Sequence, residues 1–255
     1  MVVYCGVHAG LGNQLFMYAA GVLVSKVHNC PLYIQNCTTN VHNKKQHNYV
    51  QRLFLDASEC QTIPQEVYDL NQPVGPLYPW NPLEAKLPCR IRGYFQYYPI
   101  LKPILPYLIE RLCQALHVRE RTDSMFLHIR RGDYLEKPEI HYNLQSQYYI
   151  SAYLKVLEMR NGSVPYRCLI FSDDIQWCKQ QVWIQQIANV EFYENEDEIE
   201  SLAEMARCYG GAVIANSTFS WWGALLSKSP YVVYPSQWSA FANFIDLFPQ
   251  NWLKN

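Results

Sequence analysis

The chain opens on an apolar run, Val2–Val7, which gives way to Gly10-Leu11-Gly12-Asn13-Gln14 and then to an apolar-periodic stretch ending near Val27. That order predicts a buried strand, a glycine-bearing turn and a helix. Leu32–Gln35 suits the next strand. Residues 36 to about 90 break the pattern: Asn36–His47 is polar, and prolines recur at positions 64, 73, 76, 79, 82 and 88, so loops and short helices are expected. Ile91–Tyr98 is a further apolar run, and Leu101–His117 predicts a helix. The charged gap Val118–Asp123 is the expected boundary between a domain of residues 1–120 and one of residues 121–255.

Beyond the gap the pattern becomes regular. Ser124–Ile129, Cys168–Phe171, Val190–Tyr193, Ala212–Ala215 and Tyr231–Tyr234 are short apolar runs of the kind found in buried parallel strands. Helical patterns fill the gaps at about 147–160, 174–187, 197–208 and 218–228, with Glu196 and Asp197 placed where acidic residues favour a helix start. Such alternation implies βαβ units and a doubly wound sheet. The expected class is α/β, with two Rossmann-like halves.

Composition narrows the function. The 255 residues are 49% hydrophobic and 17% charged, which excludes a disordered chain. A formal net charge of -1 argues against a nucleic-acid or membrane-surface binder. Leu15–Val24 stops at Ser25 and Lys26, too short for a membrane span. Nine cysteines, an odd count without a signal segment, read as thiols in a reducing compartment, so a cytoplasmic location is expected. Zinc is not supported, because no Cys-x-x-Cys pair occurs. The sequons Asn36-Cys37-Thr38, Asn161-Gly162-Ser163 and Asn216-Ser217-Thr218 are then coincidental.

Four constellations could carry chemistry, each at the end of a predicted strand. The first, with Gly12 and Asn13, puts backbone N–H groups and neutral amides at a helix start, suited to an anion or a sugar. A dinucleotide site would want glycine at Leu15 and an acidic residue at Gln35, and both are lacking. The second is His128-Ile129-Arg130-Arg131-Gly132-Asp133-Tyr134. Strand alternation puts His128 and Arg130 on one face and Arg131 on the other, with Gly132 turning Asp133 back over the sheet edge. It reads equally as a phosphate fork or as a structural Arg–Asp pair. The third, Phe171-Ser172-Asp173-Asp174, offers a metal pair, a helix cap at Ser172 or Asp173, or a carboxylate for a purine base; cap plus base recognition is favoured. The fourth, Asn216-Ser217-Thr218-Phe219-Ser220-Trp221-Trp222, is a phosphate cradle or a hydroxyl cap with buried tryptophans. Three such motifs on one sheet describe a nucleotide site, with a local positive focus expected at Arg130 and Arg131.

At these residues the sequence resembles the inverting alpha-1,2-fucosyltransferase family, whose donor is GDP-fucose. The matching stretches are GLGNQLFMYA (Gly10–Ala19), RGYFQ (Arg92–Gln96), HIRRGDY (His128–Tyr134), FSDDIQW (Phe171–Trp177) and ANSTFSWWGA (Ala215–Ala224), in order along nearly the whole chain. The departure is His8-Ala9, where the family usually carries small residues such as Gly-Gly. The resemblance implies a GT-B fold, two Rossmann-like domains with the donor site in the cleft between them. The C-terminal domain would bind GDP-fucose and the N-terminal one the acceptor. No metal or other cofactor is implied.

The resemblance also implies roles. Arg130 would neutralise the diphosphate leaving group, while His128 and Asp173 hold guanine or its ribose. Asn216, Ser217, Thr218 and Ser220 would cradle phosphate, and Asn13 with Gly12 would reach the fucose or its phosphate. Inverting transfer to the 2-hydroxyl of a terminal galactoside calls for a base. Asp133 is the nearest carboxylate, with Glu136, Glu139 and His141 as rivals. Tyr94 and Tyr97 would offer ring faces to the acceptor sugar, beside Phe95 and Tyr98, half of these four being core. Two other classes stay open: a non-catalytic glycan or nucleotide binder of the same fold, and a Rossmann oxidoreductase, which Leu15 and Gln35 disfavour.

Overall fold

A computed structural model describes residues 1–35, 49–71, 81–240 and 245–255. The polar run Asn36–His47 with its sequon, and the prolines at 73, 76 and 79, lie outside the described residues. The chain forms two compact units, one from Met1 to Ala115 and one from Leu116 onward, with the short turn Ile245–Leu247 grouping with the first.

The first unit is built on β1 (Val3–Gly6), α1 (Leu11–Val27), β2 (Leu32–Gln35), α2 (Tyr49–Arg52), β3 (Ser58–Cys60), β4 (Tyr68–Asn71), β5 (Cys89–Arg92), α3 (Tyr98–Leu101) and α4 (Leu105–Ala115). Its strands pair in the order β3-β2-β1-β5-β4, all parallel. β1 buries Val3 and Cys5, and α1, apolar almost all round, is buried from Leu11 to Val24 apart from Asn13. β3 and β4 escape the hydrophobic pattern because they are exposed edge strands with one covered neighbour each. The run Ile91–Tyr98 is not one strand. Gly93 has φ 123° and Phe95 φ 54°, so the backbone turns twice and buries Phe95 while leaving Tyr94 at the surface. The helix expected over Leu101–His117 is divided, because Pro103 has no N–H to continue it.

The second unit runs β6 (Ser124–Ile129), α5 (Gly132–Glu136), α6 (Ser146–Met159), β7 (Arg167–Ser172), α7 (Ile175–Lys179), α8 (Val182–Gln185), β8 (Val190–Phe192), α9 (Glu198–Arg207), β9 (Gly211–Val213), α10 (Thr218–Ser227), β10 (Val232–Tyr234) and β11 (Leu253–Lys254). The sheet order is β11-β10-β9-β6-β7-β8, again all parallel. β6 is buried at every position, as a central parallel strand covered on both faces must be. Met125, Leu127 and Ile129 join the core under α6 with Tyr149, Ala152 and Val156. Asp197 caps α9, its side chain accepting from the Ile199 N–H at 2.8 Å. The helix expected over 174–187 breaks at Gln181, whose backbone is extended.

Among the described residues the cysteines are free thiols. Burial pushes those of Cys5 and Cys168 up to about 12, which keeps them protonated and unreactive. No helix among the described residues is long and apolar enough to cross a membrane.

The loop ahead of α1 carries strain at one point. Ala9 sits at φ 64°, a left-handed conformation that suits glycine, and its carbonyl accepts from Gln14 Nε2 at 2.8 Å. Ala9→Gly relieves that strain against a larger loss of chain entropy. We expect a gain of roughly 0.5–1 kcal/mol in stability, read as a raised urea midpoint at unchanged slope.

Candidate active site

In an open parallel sheet, ligands bind beyond the carboxyl ends of the strands where the strand order reverses. In the second unit β6 leads to β7 and β8 on one side, and the chain then returns to β9 on the other. The reversal lies between β6 and β9. The residues that follow those strands are Arg130–Tyr134 and Asn216–Ser220, so the topology brings two separate motifs to one edge.

The β6 end is organised by Asp173, which follows β7. One carboxylate oxygen accepts from the Arg131 backbone N–H at 2.9 Å, and the other lies 3.1 Å from Arg130 Nη1. Between them passes Gly132. A Cβ built there would stand 2.5 Å from Asp173 Oδ2, so any larger residue would push that carboxylate out of place. Asp133 holds Arg130 from the other side, with Oδ1 2.8 Å from Nη2. Burial opposes the charge of Arg130, but Asp173 and Asp133 outweigh it and keep the guanidinium above the usual arginine range. Arg131 turns the opposite way, its guanidinium 3.6 Å from the Trp177 ring centroid and its Nε 3.2 Å from Asp174. Asp174 is also the cap of α7, accepting from the Trp177 N–H at 3.1 Å; the capping residue expected at Ser172 or Asp173 is one position further on. Two guanidinium groups thus face three carboxylates. The positive focus expected here is absent, because each arginine arrives already neutralised.

The β9 end is tied to the β6 end through Tyr134, whose hydroxyl donates to the Asn216 carbonyl at 2.7 Å. Burial pushes that phenol up to about 12, so it remains a donor. The Tyr134 ring lies 5.5 Å from the Arg130 guanidinium and stacks on His141 with centroids 4.1 Å apart. Asn216 spends both amide hydrogens on loop carbonyls, those of Tyr142 at 2.8 Å and Trp238 at 2.9 Å. Ser220 is fully buried and its hydroxyl turns back to the Ser217 carbonyl at 3.2 Å. Neither the Asn216 amide nor the Ser220 hydroxyl, both expected at the donor, is presented outward. Ser217 is the N-cap of α10, yet its side chain makes no capping bond, and Thr218 follows it half-buried. The start of α10 therefore keeps an uncapped end, which favours an anion.

His128 lies inside β6 with its ring 5.9 Å from that of Phe219. Burial, with help from the Arg130 charge, pushes the imidazole down to about 3, so it is neutral, and Nδ1 has no hydrogen-bond partner. Gly12, Asn13, Tyr94 and Tyr97 belong to the first unit. Asn13 Oδ1 accepts from Gln96 Nε2 at 2.9 Å, joining the two N-terminal motifs at the start of α1. Gly12 is buried, Tyr94 is exposed with its ring 5.4 Å from His8, and Tyr97 is half-buried at the start of α3. Gln96 and the carbonyls of Tyr142 and Trp238 were not singled out from sequence. Gln96 was visible as the last letter of RGYFQ, whereas backbone acceptors leave no sequence signal. Among the described residues no group of three or more His, Cys, Asp or Glu side chains is arranged to hold a metal ion.

Residues 104–254 match the family model described as Glycosyl transferase family 11. The chain belongs to this family. The matched region contains HIRRGDY, FSDDIQW and ANSTFSWWGA, the three motifs of the second unit. Family 11 membership makes the protein a glycosyltransferase, related to the fucosyltransferases. The chain is 28% identical over 310 residues to the O-antigen biosynthesis glycosyltransferase WbnK of Escherichia coli, covering 98% of this chain and 99% of that protein. It is 35% identical over 144 residues to an alpha-1,2-colitosyltransferase of Escherichia coli, covering 52% of this chain and 48% of that one, so the match spans about half of each. Among solved structures, the fucosyltransferase NodZ from Bradyrhizobium superposes with a TM-score of 0.52 at 10% identity, over 91% of this chain and 94% of that one. NodZ co-crystallised with GDP gives 0.50 at 10% identity, over 91% and 93%. At that identity the likeness concerns the fold, and two Rossmann-like units of parallel sheet are the GT-B type expected.

The buried imidazole of this family 11 protein gives a pH test. In an unfolded chain His128 titrates near 6.5, whereas in the folded site it stays neutral to about 3. Between these values the unfolded state binds the extra proton, so stability falls as the pH drops through that window. His128→Gln, which cannot titrate, should flatten this acid limb by on the order of 2–4 kcal/mol. Urea midpoints from pH 7 to pH 4 would measure it, and an acid slope unchanged from wild type would contradict the buried neutral imidazole.

Proposed function

We propose that the protein transfers L-fucose from GDP-fucose to the 2-hydroxyl of a terminal galactoside, with inversion and without a metal. The observation that carries this reading is the placement of Arg130 and the uncapped start of α10 at the one reversal of the second sheet. A guanidinium fork and a helix start whose N-cap side chain makes no capping bond, at one sheet edge, suit a diphosphate. The relatives add support: one is named for an alpha-1,2 linkage, and NodZ has been crystallised with GDP.

In this reading the acceptor hydroxyl attacks the anomeric carbon as the bond to the phosphate oxygen breaks. The electron pair leaves with GDP, and the hydroxyl proton passes to a carboxylate. Arg130 is the catalytic residue, stabilising charge that grows on the leaving diphosphate. The phosphates must compete with Asp133 and Asp173 for it. Asp133, on the arginine's own loop, is then the carboxylate released to take the proton. Asp173 keeps its bond to the Arg131 N–H and sets the arginine's position, leaving the neutral His128 to face the nucleoside. Ser217 and Thr218 are assigned to phosphate, and Asn13 with Gly12 to the fucose or its phosphate.

The test is incubation with GDP-fucose and a panel of galactosides in EDTA, with the product linkage read by NMR. An alpha-1,2-fucosylated product is expected. Arg130→Ala should lower kcat by about 10²–10³-fold with the fold retained. Turnover within a few-fold of wild type in that variant would remove Arg130 from the mechanism. GDP binding without transfer to any acceptor would favour the non-catalytic binder instead. Transfer of colitose rather than fucose would change the donor and leave the site assignment standing.

A further inference from the structure

The first sheet also reverses its strand order once, between β1 and β5; the reading above uses Gly12 and Asn13 at the helix start beside this crevice and assigns nothing to its strand ends. Residues at the carboxyl ends of β1, β2 and β5, among them Gly6, His8, Gln35, Arg92 and Gly93, line an open cavity of about 300 Å³. That is the lower end of the range for small-molecule sites and enough for one substituted sugar ring.

Its charge is unusual for a parallel sheet. β5 alternates, with Cys89 and Ile91 entering the core and Arg90 and Arg92 facing the other way. Strands of parallel sheets are normally apolar on both faces, so two arginines on one face mark a surface kept for something other than packing. Both reach a single carboxylate. Arg90 Nε lies 2.7 Å from Asp69 Oδ1, and Arg92 Nη1 lies 3.0 Å from Asp69 Oδ2. The bond from Arg90, more than that from Arg92, holds the Asp69 carboxyl below the usual carboxylate range, so it stays ionised. Within this trio of two arginines and one carboxylate, one positive charge remains unbalanced. It is carried outward by Arg92, whose side chain is 58% exposed and whose other guanidinium N–H groups have no partner among the described residues. Gly93, at φ 123°, turns the chain directly after Arg92 and forms part of the cavity wall. His8, the residue that departs from the family's usual small pair, forms part of the wall, its ring against Tyr94.

We propose that this cavity is an acceptor subsite for a sugar bearing an acidic group, a carboxylate or a phosphate. Arg92 grips the anion, Arg90 holds Asp69 in place, and the His8–Tyr94 pair offers flat ring surface to the sugar. The proposal rests on the transferase reading for the word acceptor, and on the cavity itself for the binding.

The experiment measures binding and transfer separately on the full chain. Calorimetry compares a neutral galactose disaccharide with its galacturonate and galactose-6-phosphate counterparts, and GDP serves as a probe of the second unit. Wild type should bind an acidic ligand about tenfold or more tightly than the neutral one. Which acidic arm binds identifies the anion. Arg92→Ala should erase that preference, with the Kd for GDP within twofold. Asp69→Asn, which removes the competing carboxylate and frees both arginines, should tighten acidic binding several-fold. A purely structural salt bridge would instead weaken binding in both variants or in neither. Equal affinity for neutral and acidic ligands in wild type, or an unaltered preference in Arg92→Ala, overturns the subsite. Acidic binding that behaves as stated, with no sugar transfer to any ligand, upholds the subsite and overturns the transferase reading.

Discussion

The carboxylate of Asp173 holds the edge of the second sheet in order. One of its oxygens pins the backbone after Arg130, the other holds the Arg130 side chain, and the loop between them passes at Gly132, where a side chain would displace the carboxylate. From there the chain passes into Tyr134, whose hydroxyl reaches the β9 side, and the Asn216 amide ties in two further loops. Removing the carboxylate would leave a largely buried guanidinium with half its partners and a backbone N–H without its acceptor. Breaking one side of such an arrangement is far more damaging than its net contribution suggests. Ligand binding at Arg130 is accordingly an exchange of one oxyanion for another. Its enthalpy should be small for so charged a contact, and selectivity should come from geometry more than from net attraction.

Both units solve the same problem in the same way. A parallel sheet points all its strand ends in one direction, so a single change of direction in the strand order opens one crevice per sheet. α1 and α10 each begin at such a crevice, and neither has a side chain capping its first turn. Asp174 and Asp197 satisfy those groups at α7 and α9, while the N-caps of α3, α5, α6 and α8 make no side-chain bond either. What sets α1 and α10 apart is their place, at the sheet reversals where ligands of open parallel sheets bind.

What the sequence made legible follows from burial. β6 was readable to the residue because a central strand must be apolar throughout, and the Asp197 cap because an acidic residue before an amphipathic helix has few other roles. The edge strands β3, β4 and β11 were not, since half-exposed residues carry no pattern. The turn at Gly93–Phe95 hid inside an apolar run because φ is invisible in composition. The motifs are legible in the sequence, but their electrostatics are not. Arginines are conspicuous in HIRRGDY, whereas Asp173 and Asp174 come from the end of the next strand, and only the pairing of β6 with β7 reveals that they meet Arg130 and Arg131. For the same reason Asn216 and Ser220 looked like ligand contacts although both serve the fold.

The turn Ile245–Leu247 buries Leu247 and packs against α3 in the first unit, before the chain goes back to complete the second with β11. The two units are therefore not two segments of sequence. A fragment cut after Ala115 would lack a piece of its own core, and the remainder would carry that piece with nothing to cover it. Exchange of either unit among relatives has to move two separate stretches of chain together, so a single crossover at the apparent domain boundary leaves both units incomplete.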